Sequence, residues 1–227
     1  MNILHLYPNL MNLYGDYGNI TVLIDHLKDL GIEVNLDKKE VTDLIDFNKY
    51  DFIYMGSGTE ENEMIALQEL KKYKVFLNNY CKQGKAGLFT GNAMELFGNK
   101  INEEEALGFV DFNVSITDKR YTGDVILKND YLGEVVGFIN RSSIIDGGRD
   151  NSLFTYEFRY NNLPDNDYEG FRYHNIFGTH VIGPVLVKNP KFMKYILQLL
   201  AKDKYQDLNY SFEEEAYSIT LNELRKR

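Results

Sequence analysis

The chain has 227 residues, with 25 Lys and Arg against 34 Asp and Glu, for a formal charge of −9. That length suits one sizeable core, and the acidic balance argues against a nucleic-acid or anionic-membrane surface, since either would repel it. No run approaches the roughly 18 apolar residues of a membrane-spanning helix, and Met1 to Pro8 lacks a basic segment ahead of an apolar one, so a cytoplasmic protein is expected.

In chain order, Ile3 to Tyr7 reads as a short apolar strand, followed by the turn N-L-Y-G-D-Y-G-N. Asp16 or Asn19 is expected to cap a helix running to about Leu30, with Gly31 placed for the positive φ of a helix C-terminus. Ile32 to Leu36 reads as the second strand and Tyr50 to Met55 as the third. The turn G-S-G then leads into a helix from Glu60 to about Lys82, with Leu67, Leu70 and Tyr73 on one side. Glu60, Glu61 and Glu63 read as an acidic first turn favoured by the helix dipole. Ala86 to Phe89 is a fourth strand, running through Thr90-Gly91-Asn92 straight into a further helix. Such alternation implies a parallel sheet with helices on both faces and ligands at the carboxyl ends of the strands.

The middle of the chain differs. Phe109 to Ile116, Thr122 to Leu127, Gly133 to Asn140, Leu153 to Phe158 and Gly170 to His174 are short β-like runs separated by turn signals, including T-G-D and D-G-G. They are expected to form an antiparallel extension of the sheet. Ile176 to Ile182 is another strand, followed by G-P and a helix from Pro190 to about Ala201. A last helix is expected near Ser211, where Ser211 and Glu214 match a capping box and Phe212, Ala216, Ile219 and Glu223 or Leu224 give a partly apolar face. The division expected is a main domain over residues 1–202 and a helical extension over 203–227.

The single cysteine, Cys81, excludes an internal disulfide, and His5, His26, His174 and His180 show no metal-ligand spacing, so neither a metal nor a cofactor is expected. Cys81 reads as a helix residue rather than a nucleophile, because it precedes the strand leading to the sharp turn. Three loops fall at strand ends and could converge: G-S-G-T-E-E-N-E, T-G-N-A-M-E-L-F-G and G-T-H-V-I-G-P-V-L-V-K-N-P.

With these loops and the opening L-Y-P-N-L-M-N-L-Y-G-D-Y-G-N-I, the chain resembles the class I glutamine amidotransferases of the cobyric acid synthase type. Within them it is most similar to the small subunits of lipid II isoglutaminyl synthases. The resemblance covers about residues 1 to 200 and implies a flavodoxin-like α/β fold. It also implies a cytoplasmic subunit working beside a Mur-ligase-like synthetase, to which ammonia released from glutamine is passed. In that family a cysteine thiolate at the strand-to-helix turn attacks the glutamine amide, a histidine moves the proton, and backbone N–H groups of two glycine loops hold the oxyanion.

Carried over residue by residue, the resemblance implies an altered site. L-F-T-G-N-A-M-E-L-F-G stands for a pattern usually seen as C-G-G-Y-Q-L-L-G, which puts Gly91 on the cysteine, or Thr90 after a shift of one, and Glu95 on the glutamine. G-T-H-V-I-G-P stands for G-T-Y-L-H-G-P, which puts Ile182 on the histidine and His180 two residues before it. V-V-G-F-I-N-R-S stands for V-G-F-E-N-H-S-G, keeping Asn140 but placing Ile139 and Arg141 where Glu and His stand. Gly56, Ser57 and Gly58 occupy the oxyanion loop, with Asn92 beside it. The family positions are therefore present with the chemistry removed. The first reading is a glutaminase-deficient subunit that binds its synthetase, with glutamine or another small molecule as the candidate ligand. The second is an active amidotransferase or hydrolase using Thr90 with His180, and the third a free-standing binding module. His180 reads either as a hydrogen-bonded pocket residue or as a general base, and Ile182, Ile139 and Met94 are expected to make the pocket apolar, with Glu95 and Arg141 the charges left to balance one another or hold a ligand.

Overall fold

In the computed structural model, residues 1–160 and 162–227 are described. Twelve strands form one sheet: β1 (Asn2–Leu6), β2 (Asn35–Lys39), β3 (Phe52–Met55), β4 (Ala86–Thr90), β5 (Lys100–Ile101), β6 (Glu104–Glu105), β7 (Phe112–Asn129), β8 (Gly133–Gly147), β9 (Ser152–Arg159), β10 (Tyr168–Tyr173), β11 (Asn175–Thr179) and β12 (Val181–Ile182). The helices are α1 (Gly18–Asp29), α2 (Glu60–Lys71), α3 (Lys74–Lys82), α4 (Val185–Lys188), α5 (Pro190–Ala201) and α6 (Ser211–Arg225).

The parallel half runs β2-β1-β3-β4-β11, the flavodoxin-like order, with helices on both faces. Every residue of β3 and β4 is buried, as expected of strands covered on both sides. One face packs Leu4, Ile53, Met55 and Phe89 against Leu67 and Leu70 of α2 and Leu77 of α3. The other packs Ile3, Phe52 and Leu88 against Leu23 and Leu27 of α1 and Phe192 and Ile196 of α5. The antiparallel half continues the same sheet as β11-β10-β9-β7-β8-β12.

Several boundaries differ from the sequence-based expectation. Strand β2 starts three residues later than read, and the helix read from Glu60 to Lys82 breaks at Lys72 and Tyr73 into α2 and α3. The expected helix after the elbow is a run of 3₁₀ turns, Gly91–Phe97. Thr122-Gly123-Asp124 is no turn: it lies inside β7, which pairs with β8 along its length apart from a register shift between Ile116 and Tyr121. Gly123 is needed there because a Cβ would strike the Tyr160 carbonyl. The capping box at Ser211 does not form. The Glu214 N–H bonds the Tyr210 carbonyl at 2.8 Å, and α6 has no side-chain cap. Phe212 and Ile219 are 82% and 58% exposed, whereas Tyr217, Leu221 and Leu224 pack against Ile126, Val136 and Phe158.

Candidate functional site

The elbow and the glycine loop meet at the carboxyl ends of β3 and β4, joined through Asp16, which is fully buried. Asp16 Oδ2 accepts from Thr90 Oγ1 at 2.7 Å and from the Ser57 N–H at 3.3 Å, and Oδ1 accepts from the Gly183 N–H at 3.2 Å. The Tyr54 hydroxyl donates to the Asp16 carbonyl at 2.7 Å, and Asn19 Nδ2 donates to the same carbonyl at 3.1 Å. Asn19 Oδ1 accepts from the Leu186 N–H at 2.8 Å. Asp16 and Asn19 therefore tie four loops together instead of capping α1, which has no side-chain cap. Burial pushes the Asp16 carboxyl up to about 6, against the hydrogen bonds from Thr90, Gly183 and Ser57.

At the elbow, Gly91 has φ 60°, a conformation that favours glycine. A Cβ there would lie 2.5 Å from Ser57 Cβ, in contact with Ser57 Oγ, and 3.3 Å from Ile182 Cγ2. The structure thus brings Gly91, Ser57 and Ile182 together. Asn92 locks the loop beyond Gly56: its Oδ1 accepts from the Gly58 N–H at 2.9 Å and from Ser57 Oγ at 3.2 Å. The N–H groups of Ser57 and Gly58 therefore already have acceptors. Thr90 is fully buried and its hydroxyl is given to Asp16.

His180 follows Thr179, which pairs with Thr90 across β11 and β4, but its ring hydrogen-bonds elsewhere. Its Nε2 lies 2.9 Å from Glu95 Oε1 and its Nδ1 lies 3.1 Å from Glu169 Oε1, which also accepts the His180 backbone N–H at 2.7 Å. Thr179 Oγ1 donates to Glu169 Oε2 at 2.7 Å, and Arg141 Nη1 lies 3.1 Å from His180 Nδ1. Ser143 Oγ donates to Glu95. His180 is thus hydrogen-bonded between two carboxylates, and among the described residues its ring bonds no nucleophile. Glu95 and Arg141 do not pair directly; each is joined to His180.

Beside the elbow lies a pocket of about 170 Å³, whose lining includes Glu60, Glu63, Asn92, Glu95, Asn140 and Arg141. Its lining mixes these charged and amide groups with Leu13, Tyr14 and Ile116, and none of Ile139, Ile182 and Met94, expected to make the pocket apolar, belongs to it. Ile139 and Ile182 are buried as the β8–β12 pair, and Met94 lines a separate cavity of about 20 Å³ beside His180. Glu63, read as part of an acidic first turn, is buried, and Asn92 Nδ2 donates to its Oε2 at 3.1 Å. The signal that could have found it is spacing: Glu63 shares a stripe with buried Ala66, Leu67 and Leu70. Glu169 was missed because its tie to His180 depends on how β10 and β11 pair. Cys81 is a buried helix residue whose thiol burial pushes up to about 12.

No helix among the described residues is long and apolar enough to cross a membrane. Residues 2–190 match the family described as the CobB/CobQ-like glutamine amidotransferase domain. Over 213 residues the chain is 32% identical to the lipid II isoglutaminyl synthase (glutamine-hydrolyzing) subunit GatD of Staphylococcus aureus strain N315, covering 90% of this chain and 86% of that one. It is 30% identical to the protein of the same name from Streptococcus pneumoniae strain R6, covering 98% and 89%. In fold it is similar to the Thermotoga maritima PurLQS structure, with a TM-score of 0.55 at 15% identity over 98% of each chain. A structure described as a glutamine amidotransferase gives a TM-score of 0.57 at 14% identity, covering 87% of this chain and 98% of that one.

Proposed function

The chain belongs to the family of CobB/CobQ-like glutamine amidotransferase domains, and from that premise we propose that it is an amidotransferase-like subunit that no longer hydrolyses glutamine. It works in the cytoplasm beside a Mur-ligase-like synthetase and keeps the old pocket as a binding site for a small molecule. Residues 1–202 form the amidotransferase-like domain and residues 203–227 a helical extension of it.

The observation that carries this reading is Gly91 at the elbow with Ser57 filling the space beside it. Acyl transfer from glutamine needs a nucleophile there, with a proton acceptor in reach. Gly91 supplies no side chain, Ile182 beside it cannot exchange protons, and Thr90 is buried with its proton committed to Asp16. The Ser57 and Gly58 N–H groups, the oxyanion donors the family resemblance implies, are engaged by Asp16 and Asn92. Asp16 and Asn92 hold the loops in place, and the remaining polar chain from Glu95 through His180 to Glu169 stiffens the pocket wall. The partner is supported by the relatives, each named as a subunit of a lipid II isoglutaminyl synthase.

The test is ammonia release from glutamine, measured with the purified protein alone and after co-purification with its synthetase. No release above background is expected in either case, and diazo-oxo-norleucine is expected to leave the protein unlabelled. Covalent labelling at Thr90 would replace this reading with a threonine nucleophile, and labelling at Ser57 would assign the chemistry to that hydroxyl.

A further inference from the structure

Two carboxylates on the pocket wall face one another, Glu63 and Glu95, each 1% exposed. Glu63 is held through Oε2 by Asn92, but its Oε1 has no hydrogen-bond partner among the described residues, and neither does Asn140 Oδ1 in the same pocket. Burial, and then the Glu95 charge, push the Glu63 carboxyl well above the ordinary range. The other charges around Glu63 are Glu60 on its own helix, Arg120 on β7, and Arg141 on β8, with His180 behind Glu95. Glu60 is paired with Arg120 at 3.2 Å and Arg141 with His180, so neither arginine makes a hydrogen bond to the Glu63–Glu95 pair. Glu95 also stands where the family pattern carries a neutral glutamine, which puts a negative charge in place of an amide.

We propose that this pocket is a receptor for a primary ammonium group, bound by Glu63, Glu95 and Asn140. The proposal rests on reading the site as a ligand pocket. A primary ammonium carries three N–H donors and no acceptor, which matches three acceptor side chains. Among the described residues no group of three His, Cys, Asp or Glu side chains gathers as a metal site would, which favours a directional N–H donor over a metal ion. A volume of about 170 Å³ admits a small organic amine. Arg141 Nε, also without a partner, is free to meet an acceptor elsewhere on the same ligand.

The experiment is calorimetric titration of the full chain with methylammonium chloride near neutral pH, in two buffers of unlike ionisation enthalpy, with acetamide as an uncharged N–H donor control. Saturable methylammonium binding accompanied by proton release is expected, and acetamide is expected to give no heat. Glu63→Gln should weaken binding at least about tenfold and abolish the proton release. Asn140→Ala, which keeps both carboxyl groups, should weaken it severalfold with the proton release intact. Absence of saturable methylammonium binding, acetamide binding as tightly, or binding that neither variant changes would overturn the proposal. Glutamine hydrolysis is assayed separately. Ammonia release alongside intact methylammonium binding would sink the loss of activity and leave the receptor standing.

Discussion

Ser57 occupies the volume that a side chain at position 91 would need, its Cβ 2.5 Å from where that side chain would begin. Gly91 is therefore held by two constraints, a left-handed backbone and a filled space. The thiol that the family places there is excluded by a neighbour as well as by the residue itself. Restoring the nucleophile means changing both.

Gly91→Cys alone is expected to cost roughly 2 to 4 kcal/mol, from overlap with Ser57 and the positive φ, read from a urea titration. Ser57→Gly in the same chain should recover part of that loss. With Ile182→His added, the triple variant should release some ammonia from glutamine, whereas Gly91→Cys with Ile182→His should release none. Equal release from the double and triple variants would show that Ser57 is not the obstacle.

Asp16 makes stability depend on pH in a direction unusual for a carboxylate. Its folded value, about 6, lies above its unfolded value of 3.8, so the native state binds more protons between them. The stability this group contributes is complete below about pH 4 and is lost as pH rises through 6, by up to about 3 kcal/mol. Asp16→Asn should flatten that slope when unfolding midpoints of the two proteins are compared across the interval. A parallel pair of curves would show that Asp16 ionises freely in the native state.

His5 acts with the opposite sign. It is buried beneath α1 with neither ring nitrogen hydrogen-bonded, its ring centroid 5.2 Å from that of Tyr54. Burial, helped by Lys38, lowers its folded value from 6.5 to about 4, so stability is lost as pH falls across that window. His5→Leu is expected to add about 1 kcal/mol at neutral pH by removing unsatisfied polar atoms, and about 3 kcal/mol more near pH 4. Thermal or urea unfolding at the two pH values measures both, and a variant less stable than wild type at both would rule the account out.

The two sides of α6 should answer differently to substitution. Leu221→Ala and Leu224→Ala, facing Ile126 and Val136, are each expected to cost about 1 to 3 kcal/mol. Phe212→Ser and Ile219→Ser, on the exposed side, should stay within about 0.5 kcal/mol in the isolated chain. Co-purification of the synthetase with these last variants reports whether that side carries the partner.

The parallel half was legible because β1, β3 and β4 run into glycine-containing turns, and because β3 and β4 are continuous apolar runs. The elbow and its convergence with Ser57 and Ile182 followed from the same order. The antiparallel half was harder. Gly123 looks like a turn residue, yet it is small because the Tyr160 backbone passes over it within one long strand. In α6, apolar residues lie on both sides of the helix, so no periodicity could say which stripe packs. The polar chain around His180 joins residues from four separate elements, and only the strand pairing reveals that Glu95, Arg141 and Glu169 meet there.

The Asp16 carboxylate reaches partners 41, 74 and 167 residues away along the chain. Each of those bonds closes a long loop, and loop-closure entropy is paid before such contacts stabilise anything. This corner accordingly assembles late, after the local helices and neighbouring strands are in place. Removing the carboxylate should then leave the refolding rate nearly unchanged and speed unfolding instead, so that Asp16 governs how long the native chain persists more than how quickly it forms.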